Sequence, residues 1–381
     1  MRVIQCFRAP LGGLFRHVAD LTRAFAARGI EVGIVCDASD YGDLNRKRLE
    51  ELKQHCAMGV QRLPMPRQIG WRDANAVAAI RRIARDTQAD IVHGHGAKGG
   101  AYARLAVAGL KADAVYTPHG GSLHFPARSP EGFVFLTLEK LLRRLAPAVL
   151  FESEFSRRTY TDKVGRPPAL STVIHNGLSR AEFADIRPAQ SPADILFIGE
   201  MRELKGPFVL LDALARLNGS RPVSALFVGT GPDKTAIVQR VRELGLDARI
   251  AFSPPMPARD AFARARIMAV PSLAESLPYI VLEAAAAGMP MVATDVGGIP
   301  EIFGDARDAL VPAGDAVALA EALDEALRDA RAARALAARV RMRVSAEFSL
   351  DRMASSVLGV YGRIRALPDR DRIRQAVRSS G

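Results

Sequence analysis

A chain of 381 residues that is 49% hydrophobic, 25% charged and 6% aromatic has the composition of a folded globular protein, which excludes disordered, collagen-like and coiled-coil classes. At roughly 100–200 residues per domain the length favours two domains with full cores, and no charge-free run of about 18 apolar residues offers a transmembrane helix. Net charge is +12 and unevenly placed: residues 1–180 hold 27 Lys and Arg against 16 Asp and Glu, residues 181–381 hold 26 against 25. A basic half suits an anionic membrane, a phosphorylated substrate or nucleic acid.

Val3–Phe7 reads as a buried strand, cut short by Arg8, so no signal peptide is expected and the cytoplasm is the expected compartment. Leu14 to about Arg28 follows as a helix with Phe15, Val18, Leu21, Ala24 and Phe25 at helical spacing, closed by Gly29. Strands are expected at Glu31–Cys36, Asp90–His93, Ala114–Thr117 and Ala148–Phe151, with helices at Asp73–Thr87, Tyr102–Leu110 and Glu131–Leu145 between them. The alternation restarts with strands at Ile195–Gly199, Ala225–Val228, Ile250–Phe252, Ile267–Val270 and Met291–Thr294. Helices are expected at Phe208–Leu217, Lys234–Leu244, Tyr279–Ala287 and Val317–Leu327, with more helix to about Leu367. Continuous apolar strands alternating with helices imply parallel sheets covered on both faces, hence an α/β fold of two doubly wound domains facing across a cleft. The expected domains are 1–183 and 194–350, joined by a linker from Ala184 to Ala193 that carries Pro188 and Pro192. Residues 351–381 are expected to form a C-terminal helix packing back towards the first domain, with a frayed polar tail from Pro368. Cys6, Cys36 and Cys56 form no CxxC pair, so neither a disulfide framework nor a zinc site is expected.

The densest chemical constellation runs from Pro271 to Gly288. Pro278 suits the first turn of a helix with Ser276 as its N-cap, which leaves the amides near Tyr279 and Ile280 to face an anion. Glu283 is the one carboxylate in an otherwise apolar, small-residue helix, so its burial is expected; paired ribose hydroxyls would satisfy it, as would an Arg across the core. Glu275 either closes a capping box with Ser272 or, since Pro278 starts the helix later, stays in the loop at the cleft.

The stretch Ile198–Gly206 follows a strand and precedes a helix, where a diphosphate should lie, and Arg202 and Lys205 can neutralise charge on a departing phosphate. Gly12 and Gly13 let backbone approach a ligand closely, although neither GxGxxG nor GxxxxGK[ST] is present. Further strand-end turns stand at Gly229–Asp233 and Gly297–Glu301, where Glu301 reads as a ligand contact or as the start of a short helix. His119, in Thr117-Pro118-His119-Gly120-Gly121, reads as holding a polar ligand or as a hydrogen-bonded structural histidine. His93 and His95 are read as pointing to opposite sides of their strand, which argues against a shared metal, and no protein-bound metal is expected. Gly120-Gly121-Ser122 is no nucleophile elbow. Leu138, Leu141, Leu142 and Leu145 share one face beside Lys140, Arg143 and Arg144, a pattern of either a membrane-surface helix or a packed helix with a solvated basic face.

In this order the motifs resemble glycosyltransferase family 4, retaining enzymes of the GT-B fold, from Gly12-Gly13 to about Leu327. Glu275 and Glu283, framed by Pro271-Ser272, Gly288-Met289-Pro290, Gly297-Gly298 and Pro300-Glu301, look like that family's signature pair. The resemblance implies that Glu283 holds the donor ribose, Glu275 lies near the donor sugar, and Lys205 with an Arg grips the diphosphate. It also implies donor contacts from Gly12, Gly13, Gly199, Gly229, Leu277, Tyr279 and Ile280, with His119 facing the transferred sugar. His175-Asn176-Gly177 and Ser153-Glu154-Phe155-Ser156 match the family's inter-domain strand and helix. One departure stands out: Glu200 follows Gly199 where the family often has its Arg, and the nearest Arg is Arg202. The implied activity moves a sugar from a UDP- or GDP-type donor to an acceptor hydroxyl, with no cofactor besides that co-substrate. A lipid-linked or saccharide acceptor in cell-surface polysaccharide or glycolipid assembly is expected, with peripheral contact at the inner membrane face. A nucleotide-sugar epimerase on the same scaffold is the alternative enzyme. A basic nucleic-acid-binding protein is the alternative class, against which no helix-turn-helix, zinc-finger or RNP motif is present.

Overall fold

The computed structural model describes residues 1–40, 42–68, 70–124, 126 and 129–368. The tail expected to fray therefore lies, beyond Pro368, outside the described residues. Two compact units emerge, one of residues 1–176 with 350–381 and one of residues 177–349.

In the first unit the order is β1 (Arg2–Phe7), α1 (Gly12–Ala26), β2 (Glu31–Asp37), α2 (Asp43–Leu52), β3 (Val60–Leu63), α3 (Arg72–Asp86) and β4 (Ile91–His95). It continues with α4 (Gly96–Val107), β5 (Asp113–Thr117), α5 (Pro130–Leu142), β6 (Ala148–Phe151), α6 (Glu154–Lys163) and β7 (Thr172–Val173). All strands pair parallel in the order β3-β2-β1-β4-β5-β6-β7, with Val3 opposite both Val32 and Ile91. Alternation across the pleat sends neighbouring apolar residues to opposite covered faces. Val3, Ile91 and Val115 pack with Leu21 and Phe25, whereas Ile4, Val92 and Ala114 pack with Ile80, Tyr102 and Ala106.

The second unit runs β8 (Ala193–Ile198), α7 (Pro207–Ser220), β9 (Ala225–Val228), α8 (Lys234–Glu243), β10 (Ile250–Ser253), α9 (Ala258–Phe262) and β11 (Ala265–Val270). It then adds α10 (Tyr279–Ala286), β12 (Met291–Ala293), α11 (Ile299–Phe303), α12 (Ala316–Arg328) and α13 (Ala330–Glu347). Its parallel sheet has the order β10-β9-β8-β11-β12. Ile195, Phe197 and Ile267 pack against Leu210, Leu214 and Leu323, and Leu196 and Met268 against Val281, Leu282 and Val344 on the other face. A final helix, α14 (Leu350–Arg365), belongs to the first unit, where Val357, Val360, Tyr361 and Ile364 cover Val3, Leu21 and Phe25.

The division falls at Asn176/Gly177 rather than within 184–193, because that stretch is fastened to the second unit. Ala189 N donates to Ala263 O at 2.7 Å, and the Arg259 guanidinium donates to the carbonyls of Glu182, Ala184 and Asp185 at 2.8–3.0 Å. Elements α2 and β3 are additions to the expected order; their sequences carry too many charged and polar residues to show a periodic apolar face. Helix α4 begins six residues before the expected Tyr102, at Gly96. The cause is packing: a Cβ on Gly99 would stand 2.4 Å from Cys6 O, so only glycine lets this turn lie on the sheet. Among the described residues no helix is long and apolar enough to cross a membrane.

Candidate functional site

In the second unit, chain order reverses between β8 and β11, the point at which ligands of such sheets lie beyond the strand ends. The segments after these two strands, Gly199–Gly206 and Pro271–Pro278, lie side by side, with Leu273 N donating to Leu204 O at 2.9 Å. Lys205 Nζ donates to Glu275 Oε1 at 2.6 Å, and Ser272 Oγ donates to the same oxygen at 2.8 Å. Glu275 and Ser272 are buried, while the Lys205 side chain keeps 29% of its surface exposed. Ser272 and Glu275 thus meet side chain to side chain, and no helix begins between them.

Backbone contacts hold this layer. Gly206 has φ +70° and a Cβ there would lie 1.8 Å from Pro271 O, so the residue after Lys205 must be glycine. Gly298 N donates to Ser276 O at 2.7 Å and Thr294 Oγ1 to Ser272 O at 2.7 Å. Gly229 contributes to the same packing: its Cα approaches Gly199 so closely that a Cβ would be 2.0 Å from Gly199 O. Arg202 stands at the turn before Lys205 with its guanidinium half exposed, 3.5 Å from the Glu200 carboxylate. Glu200, the departure from the motif the sequence resembles, is thus the residue that pairs with Arg202.

Helix α10 differs from expectation at its start. Pro278 is itself the N-cap and has no side-chain cap, so Ser276 lies outside the helix. Its first backbone amides are those of Tyr279 and Ile280. Leu277 and Tyr279 are buried and Ile280 is half-buried. Glu283 is half-buried, not fully buried as expected, because α10 presents one side at the rim of its core. Glu301 falls in the first turn of α11.

In the first unit, Gly12 (φ +59°) and Gly13 open α1, both exposed. Along β4 and just past the end of β5 lies a group the sequence reading did not assemble: His17, His93, His95 and His119, with Gln5 and Asn176. Residues two apart on a strand share a face, and the His93 and His95 ring centroids are 4.0 Å apart, which corrects the expectation that they point opposite ways. His93 contacts Tyr361 OH at 2.6 Å and Thr117 Oγ1 at 2.8 Å. His95 Nε2 lies 2.6 Å from Gln5 Oε1 and its Nδ1 3.0 Å from His119 Nε2. His17 Nδ1 lies 2.9 Å from Asn176 Oδ1. Burial lowers the pKa of all four; His17 falls to about 4, partly offset by its bond to Asn176, and the rings are neutral near pH 7. His119 adopts φ +50°, a conformation that costs a non-glycine residue about 1 kcal/mol or more. The signal that could have found His17 was a polar residue between Leu14 and Leu21, on the buried face of α1.

Helix α5 turns its apolar residues differently from the expected single stripe. Leu136 and Leu142 are buried, whereas Phe133, Val134, Leu138 and Leu141 are exposed beside Lys140 and Arg144. All three cysteines are buried free thiols, as small core residues should be.

Family models match both units: "Glycosyltransferase Family 4" over residues 11–182 and "Glycosyl transferases group 1" over residues 192–329. D-inositol 3-phosphate glycosyltransferase of Mycobacterium avium is 30% identical across 92% of this chain and 89% of its own length. Among solved structures, Anabaena HepE in complex with UDP is 20% identical, with a TM-score of 0.79 over 95% of this chain and all of its own. Sucrose-phosphate synthase of Thermosynechococcus elongatus is 22% identical, with a TM-score of 0.78 over 96% of this chain and all of its own. Both have the two Rossmann-like domains of the GT-B fold found here.

Proposed function

The chain belongs to glycosyltransferase family 4, and from that membership we propose that it is a retaining enzyme that moves a sugar from a nucleotide diphosphate sugar, of the UDP or GDP class, to an acceptor hydroxyl. The observation that carries the donor reading is the Lys205–Glu275–Ser272 cluster at the switch point of the second sheet, where one ammonium group is held beside loops and a helix N-terminus suited to phosphate. A neighbour of the same fold was solved with UDP-glucose, which supports a nucleotide-sugar donor.

Catalysis then rests on charge. The acceptor oxygen attacks the anomeric carbon from the face that the phosphate leaves; the bond from that carbon to the phosphate oxygen breaks, and this oxygen takes the acceptor's proton. Lys205 exchanges Glu275 for the departing phosphate and stabilises its growing charge, with the Tyr279 and Ile280 amides and Arg202 in support. Glu275 keeps Ser272 as its donor, and Glu283 takes the ribose hydroxyls. No step is routed through a metal. The acceptor is anionic or lipid-linked, in surface-polysaccharide or glycolipid assembly: the basic first 180 residues and the exposed apolar, basic face of α5 support a membrane-surface location.

Lys205→Ala tests the reading. Turnover at saturating donor should fall about 10²–10³-fold, the scale of losing one oxyanion donor, while the fold stays intact. Near-wild-type turnover removes Lys205 from the mechanism. A thermal-shift screen of UDP-, GDP- and ADP-sugars identifies the donor, since ligand binding to the native state raises the melting temperature.

A further inference from the structure

We propose that Gln5 and His95 are positioning residues that hold His119 as a neutral hydrogen-bond acceptor, its Nδ1 lone pair left for a hydroxyl of a bound sugar. That the ligand is a sugar rests on the glycosyltransferase reading; what Gln5 and His95 add is the kind of group the sugar must offer there. His119 stands two residues past the end of β5, on the carboxyl side of a parallel sheet, where ligands lie. Of the four clustered histidines it alone is not fully buried. Its Nε2 is engaged by His95, while among the described residues nothing bonds its Nδ1. Its backbone holds φ +50°, strain of the kind that persists where the surroundings fix a residue for a ligand.

The protons available to Gln5, His95 and His119 set the polarity of their bonds. An amide oxygen only accepts, so the 2.6 Å contact of Gln5 Oε1 with His95 Nε2 puts the His95 proton on Nε2. Burial lowers the pKa of His95 and keeps its ring neutral, with one proton, so His95 Nδ1 carries a lone pair. The 3.0 Å contact between that nitrogen and His119 Nε2 then requires the His119 proton to lie on Nε2. Burial keeps His119 neutral as well, which leaves it an accepting Nδ1. His17 holds the ring plane from the side, edge-on at 4.7 Å between centroids, and is itself bonded to Asn176. An acceptor here takes a hydrogen bond from a sugar hydroxyl and disfavours a carboxylate or carbonyl oxygen, which has no proton to give. A sugar lacking that hydroxyl leaves the lone pair unmatched.

The full-length chain labelled with ¹⁵N-histidine tests this through long-range ¹H–¹⁵N correlation spectra, which separate protonated from lone-pair ring nitrogens; His119→Ala identifies the His119 signals. In the wild type His119 should be protonated at Nε2 alone. Gln5→Met, which keeps the side-chain volume and removes the acceptor, should turn this single tautomer into a mixture. His95→Phe should do the same and carries the test if Gln5→Met fails to fold. Tyr361→Phe removes a hydroxyl that contacts His93 rather than His95 or His119, and should leave the His119 signals unchanged. Calorimetric titration supplies the second readout. One monodeoxy analogue of UDP-glucose or GDP-glucose should bind the wild type about 10-fold more weakly than its parent. That preference should vanish in Gln5→Met while the affinity for UDP or GDP stays the same, whereas a merely structural role would weaken all these ligands alike. His119 protonated at Nδ1 in the wild type, a single tautomer surviving in the folded variants at Gln5 and His95, or its loss in Tyr361→Phe overturns the proposal. So does an analogue preference that is absent from the wild type or persists in Gln5→Met. If neither UDP nor GDP binds the wild type, the donor reading fails and the spectra alone decide the positioning role.

Discussion

The segment that carries His119 is anchored by a buried ion pair, and breaking that pair gives a quantitative test of the fold beneath it. Arg104 on α4 and Glu139 on α5 meet at 2.9 Å with side chains 1% and 4% exposed. Glu139 Oε1 also accepts from Tyr116 OH at 2.8 Å and from Ser122 Oγ at 3.0 Å, and Ser122 lies three residues beyond His119. The Arg104 guanidinium sits 4.3 Å from the Tyr116 ring centroid and donates to Gly100 O at 2.9 Å. Removing one member of such a pair leaves the other charge uncompensated, at a cost of about 3–5 kcal/mol. Arg104→Met and Glu139→Gln should therefore each be strongly destabilising, although the glutamine retains an acceptor for Tyr116 and Ser122. The double variant holds neither charge and should be more stable than either single one, giving a coupling energy of several kcal/mol. With a urea m-value of about 2 kcal/mol/M, each single exchange moves the midpoint of its transition down by about 2 M. Circular dichroism through a urea series measures all four corners of the cycle. Single-variant losses below about 1 kcal/mol, or losses that simply add, would refute the role assigned to this pair.

Gly206→Ala should lower stability by a few kcal/mol and weaken donor binding, since it combines a positive φ with a collision against Pro271 O; unchanged donor affinity in a calorimetric titration counts against the loop's role. Glu283→Ala should raise the donor KM at least tenfold with little change in kcat, as loss of uniform binding does, and a fall confined to kcat rules out the ribose assignment. Burial pushes the Cys36 thiol up to about 12 and Cys56 up to about 11, so neither ionises at pH 8; Ellman's reagent should find no fast-reacting thiol in native protein and three after denaturation. Phe133→Asp with Leu141→Asp should reduce cosedimentation with anionic vesicles at low salt, and equal binding by the variant places the membrane contact elsewhere.

The sheets were legible because their strands are buried on both faces and read as unbroken apolar runs between amphipathic helices. What escaped was structure whose cause lies in another element. The first turns of α4 consist largely of glycines that read locally as a loop; their helical state is dictated by the approach to β1 and Tyr116. Pro188 and Pro192 have the local character of a linker, yet the carbonyls of 182–185 are claimed by Arg259, 75 or so residues later in the chain. Strand β3 has only Val60 and Leu63 as apolar residues, half-buried at the sheet edge, too few to set a period.

The candidate site divides along the same line. Lys205 and Glu275 were each legible from their own motif, but their bond spans 70 residues and follows only from the adjacency of β8 and β11. That adjacency resolves the two readings of Glu275 in physical terms. A capping role would have directed its carboxylate at backbone amides; instead both identified donors are side chains, an ammonium and a hydroxyl, aimed at one oxygen. A buried carboxylate with such donors holds the lysine in place; on the proposed reading it is also a competing anion that an incoming phosphate would have to displace. On that reading a diphosphate would offer two or more charges against one, which favours the exchange, and Ser272 would remain to satisfy the carboxylate left behind. The same reasoning reverses the expectation for the histidines. Period-two geometry alone places His93 and His95 together, and once His17 and His119 join them, the burial of four imidazoles in one place demands acceptors, which Gln5, Thr117 and Asn176 supply.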